Sequence, residues 1–386
     1  MSKAKTTEEI AELLRRTALR DFVPQNSSDG SPTPTGYRVT ISPSDAPIPV
    51  LVRYALELIG LEWAGPVEKV AWWVCFTYKG ADCMLAHQKF GLRLSTTHTD
   101  QAAAGVMLNE IAKKLIAAVR LVEPALTMAA PAILNAGDAT VVNQHRRLRQ
   151  AYDYHRDRAL NPDLVEDEMS QGQTEGLGKW FSFKSGSAVM NLNASHDLIA
   201  GMSAYLSALE HDLVLALAFC GFNPAEDSLT ELIGARWGSK WDRVVGRSDQ
   251  EGVRLRQRLI DAVERWRNTY SHGGFEKGHG ATIYLHTPGV AALPIGLTSV
   301  RDSPVFSFGS TSDAQREDVF RLFDEIDVWL RTAIPYAMQW IESGLDVRYD
   351  EEFRNMVEAA SASPELFTEL IDRFEYEQAR VDNMDY

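Results

Sequence analysis

The sequence predicts a mainly α-helical protein with a smaller α/β module, its C-terminal part a four- to five-helix bundle with an inserted β-hairpin. Three observations predict this. Leu198, Met202, Tyr205, Leu209, Leu213 and Leu217 recur every three or four residues, the spacing of one apolar helix face. Leu255, Leu259, Val263, Trp266 and Tyr270 repeat that spacing in a run that stops at Gly273-Gly274, a helix C-terminal signal. By contrast, VAWWVCFTYKG and MLAHQKFGLRL, within Val70 to Leu94, are strand-like runs around a turn and suggest a hairpin.

In chain order, a short charged helix is expected over about Thr6 to Arg20. Gln25 to Thr35, rich in Ser, Pro and Gly, reads as a flexible connection. After the hairpin come helices over Gln101 to Val122 and Ala139 to Ala159, which complete an N-terminal α/β module (1–160). Asn161 to Gly186 is polar and glycine-rich and reads as a linker (161–186). The helical domain (187–345) then holds a helix through Leu198 to Leu217, a second over Leu229 to Val245 and a third over Gly252 to His272. A hairpin follows over Ala281 to Leu297 around Thr287-Pro288-Gly289, then a fourth helix over Ala314 to Ile341 with a kink at Pro335. Residues 346–386 are expected to form acidic C-terminal helices.

The 386 residues suffice for two or three domains, and 45% hydrophobic with 24% charged residues is an ordinary globular composition. Cys75, Cys83 and Cys220 are odd in number and far apart. They argue against a disulfide framework or a cysteine metal site and for a reducing compartment. The N-terminus lacks the apolar stretch of a signal peptide, and no run of about 18 apolar residues suggests a membrane span. A cytoplasmic protein is expected. The net charge of −14 opposes a nucleic-acid partner, but its distribution is uneven. Ser228 to Lys277 carries ten Lys or Arg against seven Asp or Glu, whereas Asp302 onwards carries seven against twenty.

The third helix carries the residues of interest. At 100° per residue its apolar stripe spans about 80° of arc, and Asn268 and His272 lie on the opposite side, stacked four apart. Arg267 sits just past the stripe's edge and is long enough to reach round. A histidine titrates near neutrality and can give or take a proton. An arginine offers permanent charge and planar donors to phosphate oxygens.

This Arg-Asn-x-x-x-His string near the end of a long helix, together with the run RNTYSHGGFEK, resembles the HEPN ribonuclease family over roughly residues 190–345. The resemblance implies a helical bundle whose Arg267, Asn268 and His272 are catalytic, and which cleaves RNA without a metal or other cofactor. Two protomers would meet there, so that the site is shared at the interface of a homodimer formed through the helical domain. The implied chemistry is attack by the RNA's own 2′-hydroxyl, and such proteins often act as toxins or antiphage-defence effectors. Some HEPN toxins carry a tyrosine two residues past the histidine; this chain has Gly274, so regulation through that tyrosine is not implied.

Glu210 and His211 are candidate supporting residues on the first helix of the domain, against a plain polar face. Arg147, Arg149, Arg243 and Arg265 are candidate RNA contacts. Those on the 139–159 helix lie in a basic run (His145, Arg146, Arg156, Arg158) interleaved with Tyr152 and Tyr154, a pattern that a solvated amphipathic helix would share. His272, His279 and His286 are seven apart, but no carboxylate spacing recommends a metal site. The alternative to an enzyme is a non-catalytic dimerisation or adaptor module that binds a protein or nucleic-acid partner. Under the enzyme reading the N-terminal module and acidic C-terminus would sense, restrain or recruit, with a regulatory protein as a further partner.

Overall fold

A computed structural model describes residues 6–25, 36–89, 91–174, 176, 178–268, 281–285, 289, 293–297 and 311–382. The chain divides into two compact units, Met1–Leu134 with Asp372–Tyr386, and Asn135–Ile371. The expected connection at Gln25 to Thr35 falls almost wholly outside the described residues.

The first unit is the smaller module. Helix α1 (Thr7–Arg16) begins at a capping box between Thr6 and Glu9. Strands β1 (Phe22–Pro24) and β2 (Tyr37–Ile41) and helix α2 (Pro49–Leu58) follow, then β3 (Trp63–Ala64), β4 (Val70–Tyr78), β5 (Ala81–Gln88) and β6 (Gly91–Thr96). All pairings are antiparallel, in the order β1-β4-β5-β6-β2 with β3 also on β4. The expected hairpin is the centre of this sheet. Its turn, Lys79-Gly80, has φ of +49° and +83°, the double left-handed geometry of a tight hairpin turn. Trp72, Val74, Phe76 and Tyr78 face one core, while Val70, Trp73, Met84 and Ala86 form a second small cluster.

Helix α3 (Gln101–Asn135) packs Leu108, Ile111, Leu115, Ala118 and Val122 into the main cluster. It was expected to end at Val122, its last buried residue. It instead runs on through Pro124 and Pro131, where an alanine-rich sequence sustains the helix despite the lost N–H groups.

In the second unit, β7 (Thr140–Val141) pairs with β12 (Val347–Arg348), and α4 (His145–Leu160) starts where the Asn143 side chain accepts from the His145 N–H. Strands β8 (Glu168–Thr174) and β9 (Gly178–Lys184) then form a hairpin. The linker expected at 161–186 is therefore structured, and the break between units falls at 134/135. Helix α4 does not belong to the N-terminal module; it lies along α5 (Gly186–Ala216). The expected helix over Leu229 to Val245 is two, α6 (Leu229–Gly234) and α7 (Trp237–Val245), because Ala235 and Arg236 are extended. Helix α8 (Gln250–Ala262) leads into the segment that holds Arg267 and Asn268; β10 (Ala281–Leu285) and β11 (Leu293–Leu297) pair as expected. Helices α9 (Asp313–Ala333) and α10 (Pro335–Ser343) are separated at Ile334, the position that Pro335 restricts. Helices α11 (Glu351–Ala360) and α12 (Pro364–Asp382) close the chain. They are not merely an acidic tail, since Phe353 and Phe367 are fully buried and pack around Trp340 and Phe219.

By length and composition alone, two helices, Gln101–Asn135 and Gly186–Phe219, are long and apolar enough to cross a membrane. For α5, 61% of the apolar window is buried; for α3 the figure is 11%.

Candidate functional site

Side-chain pairs fix the direction of each helix in the second unit. Ser195 of α5 hydrogen-bonds Thr311, just ahead of α9, and Tyr205 stacks on Phe323 at 4.0 Å. Helices α5 and α9 thus run side by side in the same direction. Helix α8 runs against α9. Its first turn lies under Trp329, whose Nε1 donates to Asp249 at 2.9 Å, and Arg258 pairs with Glu325. The motif end of α8 consequently lies at the start of α9.

Asp249 caps α8 by accepting the N–H groups of Glu251 and Gly252. Leu255, Leu259, Val263 and Trp266 are buried, the apolar stripe read from the sequence. The helix does not stay α-helical through His272. From Val263 to Asn268 it widens into a π-helical turn. Such turns are rare and concentrate at functional sites. The wider turn also changes the angular phase, so the 100° spacing that set Asn268 opposite the stripe no longer applies after Val263. Arg267 is half-buried rather than splayed over an open face. The side chain of Asn268, and Tyr270, His272, Gly273 and Gly274, lie outside the described residues.

Beside this turn is an open groove of about 380 Å³, walled by Arg258, Asp261, Arg265 and Trp266 from the motif helix and by Gln315 and Asp318 from α9. The Arg265 guanidinium sits 4.7 Å from the Trp266 ring centre, within cation–π range. The Arg258 guanidinium holds the Glu325 carboxyl below the usual carboxylate range. Arg265 and the Glu325-bound Arg258 bring guanidinium groups, which can donate to phosphate oxygens, to this groove; Asp261 and Asp318 bring carboxylates, and the Trp266 indole is buried in its wall.

Glu210 and His211 do not join it. Glu210 accepts from the buried Lys240 at 2.5 Å, next to Trp241, which stacks on Trp329 at 5.1 Å. They therefore stand level with the beginning of α8, whereas Arg267 lies beyond Ala262, which is itself roughly 15 Å along the helix axis from Gly252. The two line a separate cavity of about 350 Å³ with Gln144 and Lys240. There the His211 Nε2 accepts the Gln144 backbone N–H at 2.9 Å, which requires an unprotonated nitrogen. Burial lowers the pKa of His211; the neighbouring Asp212 carboxylate opposes this and His145 adds to it.

A histidine whose folded pKa is depressed contributes stability above its unfolded value near 6.5, and that contribution is lost as pH falls. The urea-unfolding midpoint is expected to drop between about pH 7 and pH 5, and His211→Gln to flatten part of that drop. An unchanged profile in the variant would rule His211 out as its source. The depressed carboxylates, such as Glu325 and Asp227, titrate in a lower window.

Of the candidate RNA contacts, Arg147 is exposed on α4 and Arg265 lines the groove. Arg243 is a structural clamp, donating to Asp227 and to the carbonyls of Cys220 and Gly221. Arg149 is also withdrawn from solvent, paired with Asp327 at 2.6 Å. It belongs to a ladder that the sequence reading missed. His145 meets Asp212 at 2.9 Å, Arg156 meets Asp324 at 2.6 Å and His155 meets Asp197 at 2.9 Å. His145, Arg149, Tyr152, Arg156 and Ala159 repeat at alternating steps of four and three, the period of a packed helix seam. That spacing was the available signal; the charge of the residues masked it.

Among the described residues no group of three His, Cys, Asp or Glu could hold a metal ion. No family model, curated protein or solved structure matches the chain.

Proposed function

We propose that this chain is a metal-independent endoribonuclease of the HEPN type, in which Arg267, Asn268 and His272 of two copies share one site. The observation that carries the reading is the Arg-Asn-x-x-x-His string at the end of a long helix, whose last described turn is π-helical and borders a groove containing arginine and indole. In the reaction, one His272 accepts the proton of the 2′-hydroxyl as its oxygen attacks phosphorus. The partner's His272 protonates the departing 5′-oxygen, and Arg267 balances the charge gathering on the phosphorane. One imidazole cannot perform both transfers at once, which is the physical reason for a homodimer through the helical domain. A cytoplasmic toxin or antiphage-defence effector suits this chemistry, with the first unit as its regulatory part.

The products test the reading. Incubated with RNA in excess EDTA, the full chain should leave 2′,3′-cyclic or 3′-phosphate and 5′-hydroxyl ends, with a rate that peaks near neutral pH because one histidine must be neutral while the other is charged. A DNA oligonucleotide of the same sequence should stay intact, lacking the 2′-hydroxyl. Ends bearing 5′-phosphate, or activity that returns only with magnesium, would overturn it. No cleavage of any RNA by the dimer would favour the non-catalytic adaptor instead.

A further inference from the structure

The β8–β9 hairpin is built unlike the rest of the second unit. Every residue of its two strands except Gly172 is exposed, and β8 and β9 form a sheet of only two strands. An isolated two-stranded hairpin is marginal in water and gains from a further strand. Its exposed residues are also the wrong kind for solvent: Met169 is 72%, Trp180 47%, Phe181 62% and Phe183 51% accessible. The register sets Phe181 opposite Gln171 and Phe183 opposite Met169 on one face. On the other face Trp180 covers Gly172, where an added Cβ would lie 2.6 Å from a ring carbon, and Lys184 pairs with Glu168 at 3.2 Å. Asp167 anchors the hairpin by accepting the Gly186 N–H at 2.7 Å, which opens α5.

In strand β9, Lys179-Trp180-Phe181-Ser182-Phe183-Lys184, the rings of Phe181 and Phe183 flank Ser182 symmetrically, with Trp180 and Lys184 one position further out on either side. We propose that β9 is a self-association edge, pairing antiparallel with β9 of a second copy about a two-fold axis at Ser182. That register sets Phe181 opposite Phe183 of the partner subunit, twice, and joins the two aromatic faces into one. It sets Trp180 opposite Lys184 of the partner subunit, a cation–π pairing, and brings no like charges face to face. Self-pairing requires that residues of equal parity meet, because side chains alternate between faces; this register satisfies that condition for every pair. A two-fold pairing uses the β9 edge of both copies at once, so association through β9 closes at two copies. The contact is small and concentration-dependent, since three half-exposed rings per copy bury a few hundred Å² at about 150–250 Å² for a whole ring.

The test uses the full chain and leaves Arg267 and His272 in place; because the ribonuclease reading also expects a dimer, the phenylalanine variants and the cross-link at position 182, rather than the presence of a dimer, identify β9. Light scattering across the micromolar range should show dimer, and the pair Phe181→Ser with Phe183→Ser should weaken its Kd about tenfold or more at an unchanged unfolding midpoint. Ser182→Cys should give a disulfide-linked dimer, since opposed residues across an antiparallel pair stand about 4.5–5.5 Å apart, within disulfide span. Ser170→Cys, one strand further out and roughly 15 Å from its mate, should not, and the parental chain with Cys75, Cys83 and Cys220 is the control. A monomer throughout, a dimer that survives the phenylalanine changes, or cross-linking through position 170 instead of 182 would overturn the proposal. So would a monomer that binds a single-stranded RNA oligonucleotide through Phe181 and Phe183, which would make the hairpin a base-stacking platform.

Discussion

Changing His272 to alanine is expected to lower RNA cleavage by about 10²–10⁴-fold, the usual contribution of a positioned general acid or base. The loss should sit at the upper end, because in a shared site one substitution removes both proton carriers. Arg267→Ala should cost about 10²–10³-fold, the scale of a lost donor to transition-state charge. Mixing the two variants distinguishes a shared site from two separate ones. A heterodimer of the His272→Ala and Arg267→Ala chains retains one of each residue, and its activity should differ from the mean of the two homodimers. The substrate's Kd should change little for His272→Ala, since the imidazole acts on protons rather than on binding, and more for Arg267→Ala. Parental rates from both variants, at parental helix content, would show that the Arg-Asn-x-x-x-His string is not the site.

Several features of the fold were legible because period and burial agree. The stripe Leu255, Leu259, Val263 and Trp266 is buried as read, and the Val70 to Leu94 region forms the central hairpin of a sheet. What was not legible came from tertiary pairing. Helix α4 looked like a basic solvent face because its arginines and histidines are counted as polar. In the folded chain Asp197, Asp212, Asp324 and Asp327 from α5 and α9 pair with them, and one face of the helix is withdrawn from solvent. The polar stretch Asn161 to Gly186 read as linker because its serines and glycines hide two strands whose apolar residues lie mainly in β9. The π turn at Val263–Asn268 leaves no compositional trace, so a wheel drawn at 100° per residue placed Asn268 on a phase that the chain abandons. Glu210 and His211 illustrate the same limit in reverse: a helix seems to offer them to the motif until its neighbours show which end of α8 they face.

The ladder yields the largest expected effect on stability. The Arg149 side chain is 16% exposed and that of Asp327 13%, with 2.6 Å between them. Burial by itself would lower the arginine's pKa, but the Asp327 carboxylate outweighs this and raises it, so the guanidinium stays charged inside the bundle. It lies between the rings of Tyr152 and Tyr205, 5.7 and 5.2 Å from their centres, and the Tyr205 hydroxyl donates to the same carboxylate at 3.0 Å. Asp327→Ala removes the counter-charge and leaves the largely buried Arg149 guanidinium without its ion pair, while the Tyr205 hydroxyl keeps only the Phe323 carbonyl at 3.2 Å. Breaking a buried pair in this way costs about 3–5 kcal/mol. Asp327→Asn keeps the size and an acceptor for Tyr205 but not the charge, and should fall between. Replacing both partners, Arg149→Met with Asp327→Leu, should recover much of the loss, because a buried ion pair exchanged for apolar side chains of similar volume is often neutral or stabilising. The double-mutant cycle in urea therefore reads the coupling directly. If the single variants lost less than about 1 kcal/mol, the value of a solvent-exposed pair, the seam of α4 would be wet and the ladder would be a surface feature.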